Sequence, residues 1–160
     1  MLGMTISLDN QVGDIQIKNW SDHNDVRVQA TIKATAGTDY EAKRLVEQTE
    51  IITRDRTDDL IIKSDQPATH FNQGLSIDYV ISVPYDSDVT IKVNVDVGDI
   101  EIDNLQGDLN LNSDTGDIEI DDLEGDLIAR TDTGSIHIDR LEVDEAYLET
   151  DTGDISINDL

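Results

Sequence analysis

Cysteine is absent from this 160-residue chain, basic residues number only eleven, and no stretch approaches the ~20 consecutive apolar residues of a membrane-spanning helix. The first absence excludes disulfides and thiolate metal sites while leaving the redox compartment open. Scarcity of positive charge, against thirty-six Asp and Glu, gives a formal charge of −25 and argues against nucleic-acid backbones and anionic membranes as partners. Cations and basic surfaces are the better-matched partners. The third absence argues against direct membrane insertion, and residues 1–10 carry no basic, apolar leader, so the expectation is a soluble chain without its own signal or anchor.

Catalytic signatures are missing too. No Gly-x-Ser-x-Gly elbow, phosphate-binding glycine loop or Gly-x-Gly-x-x-Gly occurs. His23, His70 and His137 are scattered, without a second histidine at ligand spacing, and read as solvated side chains.

What is present is repetition. Gly-Asp/Ser-Ile-x-Ile-x-x-Leu/Trp occurs five times, at Gly13–Trp20, Gly98–Leu105, Gly116–Leu123, Gly134–Leu141 and Gly153–Leu160. The last four glycines are 18, 18 and 19 residues apart, the extra residue falling among Glu142, Val143 and Asp144. A weaker half-repeat, Gly107-Asp108-Leu109-x-Leu111 and Gly125-Asp126-Leu127-x-Ala129, divides each unit into two strands. Ile118-x-Ile120 alternates with period two, the mark of a strand with one buried face. For that unit Ile118, Ile120, Leu123, Leu127 and Ala129 are expected to point inward. So few apolar side chains cannot offset the backbone entropy of one turn, so the units must stack. The array starts at Ile91 and Val93, with Val95 and Val97 at the next corner; at the other end Ile155 and Ile157 form an edge that needs a cover. Continuation of the chain, another chain, or a homo-oligomer through this C-terminal edge would each supply one.

Residues 1–88 read as strands at Met4–Leu8, Ile15–Lys18, Val26–Lys33, Glu50–Arg54, Leu60–Lys63 and Leu75–Val83, with one helix. Thr38-x-x-Glu41 is a capping box opening an amphipathic helix, Asp39–Gln48, whose Ala42, Leu45 and Val46 pack on a sheet. Arg56-Thr57-Asp58 is a hairpin turn, and Pro84 ends a strand. Trp20 stands at a Leu position of the repeat and is expected in the core. The fold class is therefore mainly β: a β-solenoid or β-helix-like stack of ~18-residue turns with an N-terminal β-rich cap carrying one short helix. One domain spans 1–160, with 1–88 the cap and 89–160 the repeats.

Aspartates form columns: Asp96, Asp114, Asp132 and Asp151 at one position, and Asp99, Asp117 and Asp154 at another, interrupted by Ser135. At a strand spacing of ~4.8 Å neighbouring carboxylates repel by about 0.9 kcal/mol in water. Carboxylates that accept backbone N–H bonds in the turns, screened by salt, offset this; Ca²⁺ bound between turns is the sharper alternative. Calcium solenoids use Gly-Gly-x-Gly-x-Asp, whereas one glycine per half-turn stands here, so no metal site or cofactor is assigned. A glycosidase carboxylate pair should be a local exception, whereas these acids follow the repeat. Ser113-x-Thr115, Thr131-x-Thr133 and Thr150-x-Thr152 resemble ice-binding Thr ladders, but the intervening Asp and adjoining Gly make them turn corners.

In order along the chain, Asn10-Gln11-Val12-Gly13-Asp14-Ile15, Val26-x-Val28, the Glu41-Ala42 helix, Tyr79-Val80-Ile81-Ser82-Val83-Pro84 and the Thr-Gly-Asp-Ile repeats resemble the bacterial putative-adhesin family, a domain of uncharacterised function. That resemblance implies a β-solenoid-like adhesin domain at the cell envelope or exterior and supplies no ligand and no catalytic residue; the leading reading is a non-enzymatic structural or interaction module there, with a protein or glycan as partner. A Ca²⁺-dependent surface module and a carbohydrate-active enzyme are the second and third readings.

Overall fold

Period-two alternation makes strands, and glycine-marked bends return the chain after each. The computed structural model describes residues 2–20, 24–85 and 88–160. Among them are the strands β1 (Leu2–Val12), β2 (Ile15–Trp20), β3 (Arg27–Thr35), β4 (Glu50–Asp55), β5 (Asp59–Asp65), β6 (Gly74–Pro84), β7 (Asp88–Val97) and β8 (Ile100–Asp103). There follow β9 (Leu105–Gln106), β10 (Asp108–Thr115), β11 (Ile118–Glu124), β12 (Leu127–Thr133), β13 (Ile136–Glu142), β14 (Ala146–Thr152) and β15 (Ile155–Asp159). One helix, α1 (Asp39–Gln48), lies between β3 and β4. His23 lies outside the described residues.

The strands form two mixed sheets. One runs β14-β12-β10-β7-β1-β5-β4 and the other β15-β13-β11-β8-β2-β6-β3, with β9 beside β11. Pairing is parallel except for the antiparallel edges β3–β6 and β4–β5. Register aligns repeat with repeat: Ile100, Ile118, Ile136 and Ile155 stand side by side, as do Leu109, Leu127 and Ala146. The core lies between the sheets, and the five side chains expected inward, Ile118, Ile120, Leu123, Leu127 and Ala129, are all buried.

Chain order and sheet order differ near the start. Residues 1–20 were expected in a cap ahead of the repeats, yet β1 sits between β5 and β7, and β2 between β6 and β8. Gly13 shows why this copy of the motif belongs inside. Its φ is +131°, its N–H donates to Val97 O at 2.9 Å, and a Cβ there would lie 2.0 Å from Ile77 O. Neighbours approach so closely on both sides that only glycine fits.

One end of both sheets is formed by β3 and β4 with α1. Thr38 caps the helix by accepting the Glu41 N–H at 3.2 Å, Leu45 is its buried residue, and the Arg56 N–H donates to Asp59 O at 2.8 Å to close the β4–β5 hairpin. Two expectations need correction, Trp20 in the core and Val97 filling a corner beside Val95. Trp20 is only half-buried, paired with Pro84 at the end of β2, because its indole N–H finds its acceptor, Asp25 O at 2.8 Å, at the surface. Val97 is 48% exposed because its register partners are Val12 and Thr115, an outward column, while Val95 alone points inward.

Candidate functional site

The Asp columns occupy turn corners, and the structure separates them by role. Asp99 and Asp117 are rungs of a side-chain-to-backbone ladder. Asp78 Oδ1 accepts the N–H of Asp14, Asp14 Oδ1 that of Asp99, Asp99 Oδ1 that of Asp117, and Asp117 Oδ1 that of Ser135, at 2.7 to 3.0 Å. Ser135 continues it, its Oγ accepting the Asp154 N–H at 3.3 Å. Each acid thus satisfies a corner N–H of the adjoining strand pair. A charge-assisted bond of this kind offsets the repulsion of like charges one strand apart.

Asp96, Asp114, Asp132 and Asp151 are all exposed on the opposite side of the glycine bend. Their neighbours do the tying there. Ser113, Thr131 and Thr150 hydroxyls donate to the carbonyls of Gly98, Gly116 and Gly134 at 3.2, 2.9 and 2.8 Å. Thr115, Thr133 and Thr152 face solvent.

Two further arrangements were not singled out from sequence. A second ladder runs through the half-repeat: Asp108 Oδ1 accepts the Asp126 N–H at 3.0 Å and Asp126 Oδ1 the Glu145 N–H at 3.1 Å. The Gly107-Asp108 and Gly125-Asp126 pairs were its signal. The outward face of the seven-stranded sheet carries a row of amides, in which Asn94 Nδ2 donates to Asp9 Oδ1 at 3.0 Å and Asn112 Nδ2 to Asn94 Oδ1 at 3.1 Å. The 18-residue spacing of Asn94 and Asn112 was the signal for that pair, and Asp9 joins it only through strand register.

Charge on the surface is largely uncompensated. Among the described residues the ion pairs are Lys33–Asp78, Lys43–Glu47, Arg130–Glu149 and Arg140–Asp122. Partial burial pushes the Asp78 carboxyl up, but the Lys33 ammonium and the Asp14 N–H outweigh it and hold it below the usual carboxylate range. The same bond to Asp78 raises the Lys33 ammonium. A shallow corner groove of about 790 Å³ is walled by Asp88, Asp108, Glu124, Asp126, Glu142 and Asp144. No group of three or more His, Cys, Asp or Glu among the described residues is placed to hold a metal ion. His137 is exposed beside Ser156, and His70 lies in an exposed bend.

The family profile described as Toastrack DUF4097 matches residues 3–160. The chain belongs to the Toastrack DUF4097 family. Its fold is similar to the crystal structure of a protein from Clostridium sporogenes ATCC 15579, described as a "putative cell adhesion protein", with a TM-score of 0.63 and 12% identity over 98% of this chain and 92% of that one. At that identity the likeness is one of fold. No curated protein matches the chain.

Proposed function

We propose that this Toastrack domain is a non-enzymatic structural or interaction module of the cell envelope or exterior, whose strand faces form a scaffold for protein or glycan contact. The observation that carries the reading is the outward face of the seven-stranded sheet, where register lines up polar side chains strand after strand, Asp9, Asn94, Asn112, Arg130 and Glu149. Such a surface offers shallow, multivalent contact rather than one enclosed pocket. Fold likeness to a protein described in terms of cell adhesion supports the same reading. In this reading residues 1–160 are one domain, a β-solenoid-like stack of ~18-residue turns closed at one end by β3, α1 and β4.

The test is binding of the purified domain to whole cells, to isolated envelope and to a panel of envelope proteins and glycans. Saturable binding to any of them is expected; absence of binding to all contradicts the reading. Unfolding with Ca²⁺, against NaCl matched in ionic strength, separates the calcium-dependent alternative. Because the Asp99 and Asp117 carboxylates already accept backbone N–H groups, the two salts are expected to stabilise equally by screening. A rise specific to Ca²⁺ would favour the alternative.

A further inference from the structure

One region of the seven-stranded sheet differs from the polar faces around it. Register sets Lys92, Asn110, Ile128 and Tyr147 in one outward row across β7, β10, β12 and β14. Ile128 and Tyr147 are among the large apolar side chains left exposed, at 36% and 49%. Tyr147 is held in place rather than loose: its hydroxyl donates to Glu149 Oε2 at 3.1 Å, and the Arg130 guanidinium lies 4.8 Å from the ring centroid. Arg130 is fixed in turn by Glu149 at 3.3 Å. On one side runs the amide row of Asn94 and Asn112. The row itself, Lys92, Asn110, Ile128 and Tyr147, lines a groove of about 710 Å³ whose other border is Asp108, Asp126, Asp144 and Glu145.

These three features select a chemistry. A rigid aromatic ring beside an aliphatic side chain accepts a flat, C–H-rich face at low entropic cost. Amides carry both donors and acceptors, which suits ligands dense in hydroxyl groups. The acidic border, on a molecule of charge −25, favours a ligand bearing positive charge and repels an anionic one. A basic peptide meets only the last condition well: β7, β10 and β12 are interior strands, so main-chain addition is open only along the edge strand β14 and not across the face that carries Ile128 and the Asn row.

We propose that this face binds an amine-bearing glycan of the glucosamine type, with its sugar rings on Tyr147 and Ile128, hydroxyls toward the Asn row, and ammonium groups toward Asp108 and Asp126. Lys92, at the far end of the row, sets polarity by disfavouring the charged sugars there. The inference rests on the surface-interaction reading above and narrows it to one ligand class and one face.

The experiment is calorimetric titration of the domain with a glucosamine hexamer, an N-acetylglucosamine hexamer and hexalysine at fixed ionic strength. The glucosamine hexamer is expected to bind at least about tenfold tighter than the acetylated one. Tyr147→Ala should weaken it about tenfold, and Asp108→Asn with Asp126→Asn by a similar factor. The Asn substitutions keep an Oδ1 acceptor for the ladder N–H groups, so a melting temperature close to that of the parent shows that charge alone was removed. Equal binding of both hexamers overturns the proposal. So does hexalysine binding that matches glucosamine and ignores Tyr147→Ala, which would mean an acidic field for peptides. Failure here while cells or envelope still bind leaves the interaction reading standing; failure of both removes it.

Discussion

The same motif occurs in an inner strand pair and in an outer one, with opposite outcomes. In β13, Ile136 and Ile138 are fully buried; in β15, Ile155 and Ile157 are 43% and 39% exposed. Sequence is alike at the two sites, so burial comes from the next neighbour. β13 lies between β11 and β15, whereas β15 is paired on one side by β13. The hydrogen bonds have the same direction: the N–H of Ile118 donates to Ser135 O and that of Ile136 to Asp154 O, each at 2.9 Å. Each strand pair is therefore completed by the one that follows it. Burial that depends on the adjoining pair is what nearest-neighbour energetics would produce.

Substitutions can break that contrast, and glycine should do so most strongly. Gly116 has φ +149° and Gly153 has φ +146°, and a Cβ at either would stand 2.0 Å from the carbonyl oxygen of the matching glycine one repeat earlier, Gly98 or Gly134. The clash is the same, but its site is not. Gly116→Ala is expected to cost more than about 4 kcal/mol by chemical denaturation, because the inner pairs must separate to relieve it. Gly153→Ala should cost less than about 2 kcal/mol, since β15 can shift outward. Equal losses would contradict the comparison.

Core truncation comes next. Ile138→Ala should lose about 2–5 kcal/mol and Ile157→Ala less than about 1 kcal/mol, measured by the same unfolding. A smaller contrast lies in the corner hydroxyls. Thr131→Val removes the 2.9 Å bond to Gly116 O inside the stack and should cost about 1 kcal/mol. Thr150→Val, at a half-buried position, should cost less.

The smallest effect concerns pH at the opposite end, where Lys33 of β3 meets Asp78 of β6. Asp78 is held below the usual carboxylate range, so it adds stability above that range and loses it as pH falls through the lowered value. Lys33 is raised, so its contribution is present below the usual lysine range and is lost as pH climbs through the raised value. Asp78→Asn should flatten both limbs of the stability–pH curve while leaving the acceptor for the Asp14 N–H. Unchanged limbs would show that the pair contributes nothing.

Inward positions were the most legible from sequence, because burial enforces alternation: Ile118, Ile120, Leu123, Leu127 and Ala129 were readable in advance. So was α1, whose Thr38 cap is a local signal. The place of β1 and β2 was not, because 84 residues separate Gly13 from the next copy of the motif at Gly98, and chain distance suggested a separate region. Shared motif, rather than nearness in sequence, decided the pairing. Trp20 was misjudged because matching a Leu position says nothing about where an indole N–H will find an acceptor. The Asp99 and Asp117 column was visible as a column, and its acceptance of backbone N–H groups was expected from turn chemistry; which N–H each carboxylate takes depends on corner geometry. Tyr147, Arg130 and Glu149 form their cluster only once β12 and β14 are in register, and no pattern in the chain marks them beforehand.

Native-state amide hydrogen exchange tests most directly whether order comes from the neighbouring strand pair rather than from the motif. The account predicts strong protection at Ile100, Ile118 and Ile136, whose N–H groups donate to the following pair, and weak protection at Ile155 although it stands in the same motif. Protection at Ile155 equal to that at Ile118 would contradict it.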